Sequence, residues 1–160
     1  MLSKERSALL VIDMQEDYIG KKSRYHYYPD TFIDKVNERI TRGQQDKELI
    51  IYIKNKGKRQ GSPYVSNYVK GLQVISNYEY TKEKISAFVN SDLVTLLKDQ
   101  DITIIEVIGI DGNCCVASTA LDAKNLGYSV TFPIEYIGVN SKERFEKTKE
   151  KLKKAGITVI

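Results

Sequence analysis

Short apolar runs of strand length alternate with amphipathic stripes along this chain, and that alternation limits its fold more than any other feature. Ala8 to Ile12 (ALLVI), Glu48 to Lys54 (ELIIYIK), Ile102 to Ile110 (ITIIEVIGI), Tyr128 to Phe132 and Ile157 to Ile160 are the runs. The most β-branched of them read as strands covered on both faces. Between them, Phe32, Val36 and Ile40 fall on one helical stripe and Val89, Leu93 and Leu97 on a second. Val116, Ala120 and Ala123 mark a third, and Ser141 to Ala155 forms an amphipathic fourth. Asn77 to Lys82 reads as an exposed edge strand, and Gly57 to Asn77 as a loop long enough for a lid or pocket wall. Strands alternating with helices form a parallel sheet with right-handed crossovers, so the expectation is an α/β protein with helices on both faces.

At 160 residues the chain fits a single domain spanning 1–160, without linker or internal repeat. With 41% hydrophobic and 29% charged residues it has the composition of a soluble globular protein, and no apolar run approaches the ~20 residues of a membrane helix. The start, MLSKERSALLVIDMQ, lacks the long apolar core and small-residue cleavage site of a leader, so the expected location is cytoplasmic. The net charge of +4 owes much to Lys54, Lys56, Lys58 and Arg59, which read as a solvated loop. With no aromatic platform or recognition helix, nucleic acid is not an expected partner, and neither is a membrane.

Ligands of open α/β sheets bind outside the carboxyl ends of the strands, where strand order reverses. Two chemistry-bearing features follow the ends of apolar runs: Asp13 after ALLVI, and GIDGNCCVASTALDA from Gly109 to Ala123. The cysteines stand at the start of the third helical stripe, where free N–H groups and the helix dipole favour an anion such as a thiolate. Lowering a free thiol pKa of ~8.5 by ~2 units would make the reactive form dominant. Adjacent cysteines with only His26 for company match neither a disulfide framework nor a zinc or haem spacing. Taken alone, however, the pair reads as two small apolar residues in a buried turn, Asp13 as a strand-end cap and Lys82 as a surface charge.

Three blocks together change that balance: ALLVIDMQEDY, TKEKISAFVNSDL and GIDGNCCVASTALDAKNLGYSV. In order and spacing they resemble the isochorismatase-like cysteine hydrolases, which include nicotinamidases and isochorismatase itself, over nearly the whole chain. The resemblance implies a three-layer α/β/α, Rossmann-like sandwich with a mainly parallel six-stranded sheet of order 3-2-1-4-5-6. It implies a catalytic triad of Asp13, Lys82 and Cys115, the last chosen because Val follows it, while Cys114 falls on a variable position. Lys84 stands close enough to rival Lys82. The resemblance also implies a cis peptide between Ile110 and Asp111, and an oxyanion hole formed by the backbone N–H groups of Asp111 and Cys115.

The implied reaction is attack by Cys115 on a carbonyl of a small amide, ureido or carbamoyl compound, with Asp13 moving the proton and Lys82 offsetting the charge. Gln15, Tyr18, Tyr64 and Phe88 are candidates to line the substrate crevice, and each reads equally well as packing. Nicotinamidases carry Asp-x-His and a further histidine after the second strand to hold a metal; YIKNKGKRQGSPY has no histidine there. The expectation is therefore a hydrolase without metal or other cofactor, forming a homodimer or homotetramer. Further departures are Gly112-Asn113, where relatives often have Thr-Asp, and Glu135-Tyr136 in place of Asp-Ala. The alternatives are a catalytically silent binding or assembly protein on the same fold, which would hold the three groups apart, and a redox module using Cys114 and Cys115.

Overall fold

The apolar runs pair in register as one parallel sheet. In the computed structural model, which describes residues 5–160, its strands are β1 (Ser7–Ile12), β2 (Leu49–Asn55), β3 (Glu79–Lys82), β4 (Ile104–Gly109), β5 (Ser129–Phe132) and β6 (Thr158–Val159). Their order is β3-β2-β1-β4-β5-β6, the 3-2-1-4-5-6 arrangement, and every neighbouring pair is parallel. Residues 1–4, where the leader question begins, lie outside the described residues.

Period-two alternation along β1 divides the core. Leu9 and Val11 face Phe32, Val36 and Ile40 of α2 (Phe32–Gln45), which follows the one-turn α1 (Glu16–Ile19). Ala8, Leu10 and Ile12 share the opposite core with Leu93 and Leu97 of α3 (Ser91–Asp99), Val116, Ala120 and Ala123 of α4 (Cys115–Asn125), and Phe145 and Leu152 of α5 (Lys142–Lys154). The result is the expected three-layer sandwich. Among the described residues no helix is long and apolar enough to cross a membrane.

Two local expectations change. Val89 does not belong to α3: Asn90 caps that helix by accepting the Asp92 N–H at 3.0 Å, which leaves Val89 in a preceding 3-10 turn, exposed. The loop after β2 contains a short antiparallel ribbon, Gly57–Arg59 against Ser62–Tyr64. The chain builds outward from β1 through β2 to β3 and then crosses to β4 on the other side, so strand order reverses between β1 and β4. At the carboxyl end of that pair a Cβ on Gly109 would lie 2.2 Å from the Ile12 carbonyl oxygen, and Gly109 has φ +111°. Only glycine fits there.

Candidate active site

Chain direction brings three strand ends together at this switch point. Asp13 leaves β1 in the left-handed region (φ 56°), tied by its N–H to the Ile53 carbonyl at 2.9 Å. Cys115 is the first residue of α4, and Cys114 occupies the capping position without offering a side-chain cap. Lys82 ends β3, two strands from β1, a span of roughly 9 to 10 Å. A long side chain reaching across the end of β2 closes that gap.

The Lys82 Nζ lies 3.1 Å from Asp13 Oδ2 and 3.4 Å from Cys115 Sγ. Lys82 is 1% exposed and Asp13 4%, while Cys115 is partly open. Lys84, the rival, is exposed and contributes its carbonyl oxygen to Lys82 at 3.2 Å. Asp13 Oδ1 is buried with no hydrogen-bond partner. The thiol stands beside that carboxylate and donates a hydrogen bond to it.

Burial dominates the electrostatics. It raises the Asp13 pKa above the ordinary carboxylate range, against the opposing pull of Lys82. The Cys115 thiol is pushed up to about 12, first by burial and then by the Asp13 charge, with Lys82 opposing. Carboxylate, ammonium and thiol together are neutral, whereas a resting thiolate would leave a net negative charge in a buried site.

The turn before α4 supplies donors. The Ile110–Asp111 peptide is cis, and the Asp111 carbonyl accepts the N–H groups of Cys114 and Val116 at 3.0 and 3.1 Å. Among the described residues, the N–H groups of Asp111 and Cys115 donate to nothing. Asn113 locks the turn to the start of α5: its Nδ2 donates to the Ser141 carbonyl at 2.9 Å, and its Oδ1 accepts from Thr148 Oγ1 at 2.7 Å. A side chain at Gly112 would press on Ile137 and Val139, each at 2.7 Å, so the Gly-Asn departure is fitted to this packing.

The four pocket candidates separate. Tyr18 is half-buried, and its hydroxyl accepts from Asn55 Nδ2 at 2.8 Å. Gln15 is fully buried, with both amide N–H groups and its oxygen engaged by the backbone of Asn55 and Ser66, which makes it a clamp without a group left for substrate. The Phe88 ring stacks on Tyr128, just before β5, with centroids 6.3 Å apart. Tyr64 lies on the ribbon under the Arg59 guanidinium, 3.8 Å from its ring centroid, and its backbone is paired with Gly57.

Two neighbours escaped the sequence reading. Asn55 is the residue opposite Lys82 in the β2–β3 ladder and accepts from its Nζ at 3.1 Å. Its position as the last residue of an apolar run was the available signal. Tyr27 is half-buried, with its phenol pKa raised mainly by burial and further by the charges of Asp111, Tyr25, Cys115 and Asp13. Nothing in the surrounding YHYY sequence distinguishes it.

A nicotinamidase-type metal does not fit these residues. After β2 the chain offers Asn55, Lys56 and Gly57, and the Lys82 ammonium already occupies the Asn55 oxygen. Among the described residues no three His, Cys, Asp or Glu side chains gather to hold a metal. His26 is a surface residue paired with Asp30 at 3.1 Å.

Comparison with known proteins agrees with this geometry. The model of the isochorismatase domain matches residues 7–160. An uncharacterised isochorismatase family protein of Bacillus subtilis, YaaI, is 43% identical over 70 residues; the match spans 44% of this chain and 39% of that protein. An isochorismatase-like hydrolase from Alkaliphilus metalliredigens superposes with a TM-score of 0.84 at 24% identity, covering 97% of this chain and 93% of that one. A zinc-bound pyrazinamidase of Pyrococcus horikoshii gives a TM-score of 0.77 at 24% identity, covering 97% and 98%. Those two likenesses establish the fold, and the domain match over nearly the whole sequence establishes that this chain belongs to the isochorismatase family of hydrolases.

Proposed function

We propose that the protein is a metal-independent cysteine hydrolase that cleaves a C–N bond of a small amide, ureido or carbamoyl compound through a thioester on Cys115. The observation that carries this reading is the Lys82 ammonium between Asp13 Oδ2 at 3.1 Å and Cys115 Sγ at 3.4 Å. It brings base, charge and nucleophile into hydrogen-bond contact.

With its pKa near 12, the thiol attacks only as its proton leaves. Asp13 accepts that proton while sulfur bonds to the carbonyl carbon and the C=O electron pair moves onto oxygen. The resulting oxyanion meets the N–H groups of Asp111 and Cys115, each such donor being worth ~10²–10³ in rate. Lys82 keeps its charge and offsets the negative charge passing between carboxylate and sulfur. Collapse of the tetrahedral adduct expels the amine, which takes the proton from Asp13. Asp13 then accepts a proton from water as water attacks the thioester, releasing the acid and returning the thiol.

Contact among the three groups removes the geometric ground for a silent binding protein. Cys114 and Cys115 are both free thiols, which gives the redox reading no support. The test is ammonia or amine release from a panel of small amides, ureides and carbamoyl compounds, with chelator-treated protein and Cys115→Ser as the blank. Turnover that survives chelation and disappears in the variant is expected. Full activity of Cys115→Ser overturns the thioester mechanism, and activity lost to chelator but restored by a divalent metal overturns metal independence. A homo-oligomer, dimer or tetramer, remains part of the proposal on family resemblance and is read from the mass in solution.

A further inference from the structure

Lys82 holds its ammonium in a buried site where only one of its oxygen partners, Asp13, is charged. The others are the Lys84 carbonyl at 3.2 Å and Asn55 Oδ1 at 3.1 Å. Asn55 is itself held on both sides of its backbone. Its N–H donates to Gln15 Oε1 at 2.7 Å, and its carbonyl accepts from Gln15 Nε2 at 3.2 Å. Gln15 Nε2 also donates to the Ser66 carbonyl at 3.1 Å, so the clamp joins the ends of β1 and β2 to the loop beyond the ribbon.

One polarity argument then runs through the chain of contacts. An ammonium has donors only, so Asn55 must turn its oxygen toward Lys82 and its Nδ2 the other way. That Nδ2 donates to the Tyr18 hydroxyl oxygen at 2.8 Å. The phenol thus accepts from Asn55 and its own proton must point elsewhere. Burial, the main influence on this group, raises the pKa and keeps the proton in place. Among the described residues nothing accepts it. A Cβ at Gly57 would press on the hydroxyl at 3.3 Å, so the absence of a side chain there keeps the space beside the phenol open.

We propose that Tyr18 presents this O–H to the substrate as a hydrogen-bond donor, aimed by Asn55 as a positioning residue, and that the substrate is an amide carrying a second acceptor oxygen a few bonds from its scissile carbonyl. This rests on the hydrolase reading above and narrows its substrate class.

Protection of Cys115 from iodoacetamide tests it, in a Cys114→Ser background so that only one thiol reports. The probes are two matched pairs: acetoacetamide against 3-methylbutanamide, and 2-oxopropanamide against 2-methylpropanamide. Each pair exchanges a carbonyl oxygen for a methyl group. In at least one pair the oxygen-bearing amide is expected to half-protect at a concentration about tenfold lower, the scale of one well-made hydrogen bond. In Tyr18→Phe that ratio falls to within about twofold, again on the scale of one lost hydrogen bond. Asn55→Asp gives the same loss, because its second oxygen captures the phenol proton, and the double variant matches either single one. A purely structural Asn55 would alter protection by both members alike and leave the ratio intact. If Asn55→Asp does not fold, Tyr18→Phe, which deletes one oxygen, decides alone.

A wild-type ratio near one in both pairs, or a ratio unchanged in Tyr18→Phe, overturns this proposal while the hydrolase reading stands. If none of the four amides slows alkylation, this proposal falls, and the hydrolase reading is decided separately by the turnover panel with Cys115→Ser as the blank.

Discussion

The molecule buries two clusters of opposite charges, and only one has the makings of an active site. Arg39 of α2, 4% exposed, donates its Nη2 to Glu48 Oε1 at 2.9 Å and its Nε to Glu106 in the middle of β4. A cavity of about 370 Å³ lined by Arg42, Glu106 and Tyr136 opens nearby. Lys82, equally buried, joins Asp13 and Cys115 at the strand ends. The planar, multiply donating guanidinium ties helix to sheet and has no nucleophile beside it. The lysine is a point charge next to a thiol and, at the same strand ends, two free backbone N–H groups. Buried charge and a cavity therefore do not suffice; the difference lies in a nucleophile placed where strand order reverses.

Removing the nucleophile gives the largest separation between the clusters. Cys115→Ser is expected to lower turnover by about 10³-fold or more while leaving the urea midpoint near that of the parent. Retained turnover would collapse the distinction. Asp13→Asn should lower turnover by about 10²–10⁴-fold, the usual range for a lost general base. Alkylation of its Cys115 at pH 8 should nevertheless accelerate, since a charge that raises the thiol pKa is gone and Lys82 remains. Parallel loss of both rates would reduce Asp13 to a structural group.

Arg39→Met should do the reverse, costing about 3–5 kcal/mol in urea unfolding by leaving two carboxylates unpaired, with kcat of the folded protein nearly unchanged. A fall in kcat without loss of stability would place Arg39 in the catalytic machinery. A pH series sharpens the contrast more gently. The folded thiol pKa lies above its unfolded value of about 8.5, so the stability it contributes is complete below that pH and is lost as pH climbs toward about 12. Comparing wild type with Cys115→Ala by urea unfolding from pH 8 upward should show the difference shrinking, and a constant difference would refute it. His26→Ala should change stability by no more than about 0.5 kcal/mol, because its pair with Asp30 is exposed. A loss of activity there would reopen the question of a metal.

Legibility in the sequence followed the range of each interaction. The unbroken apolar run ALLVI and the 3.6-residue stripe of Phe32, Val36 and Ile40 record burial locally, so strands and helices could be read directly. Val89 fits the stripe of α3 yet lies outside it, because the Asn90 cap overrides periodicity. Phe88 has the composition of a pocket wall but stacks on Tyr128, a contact with no local signature. Asn55 carried only its place at the end of an apolar run: its importance comes from standing opposite Lys82 on the neighbouring strand.

By itself, then, the sequence determined the α/β class, the family and the three residues on which the proposed chemistry turns, since these are written in local patterns and short motifs. The tertiary structure decided which lysine faces the site, how far burial raises the thiol pKa, and that Asn55 stands between Lys82 and Tyr18. Those outcomes depend on strand order, register and burial, which arise only when distant segments share one low-dielectric edge.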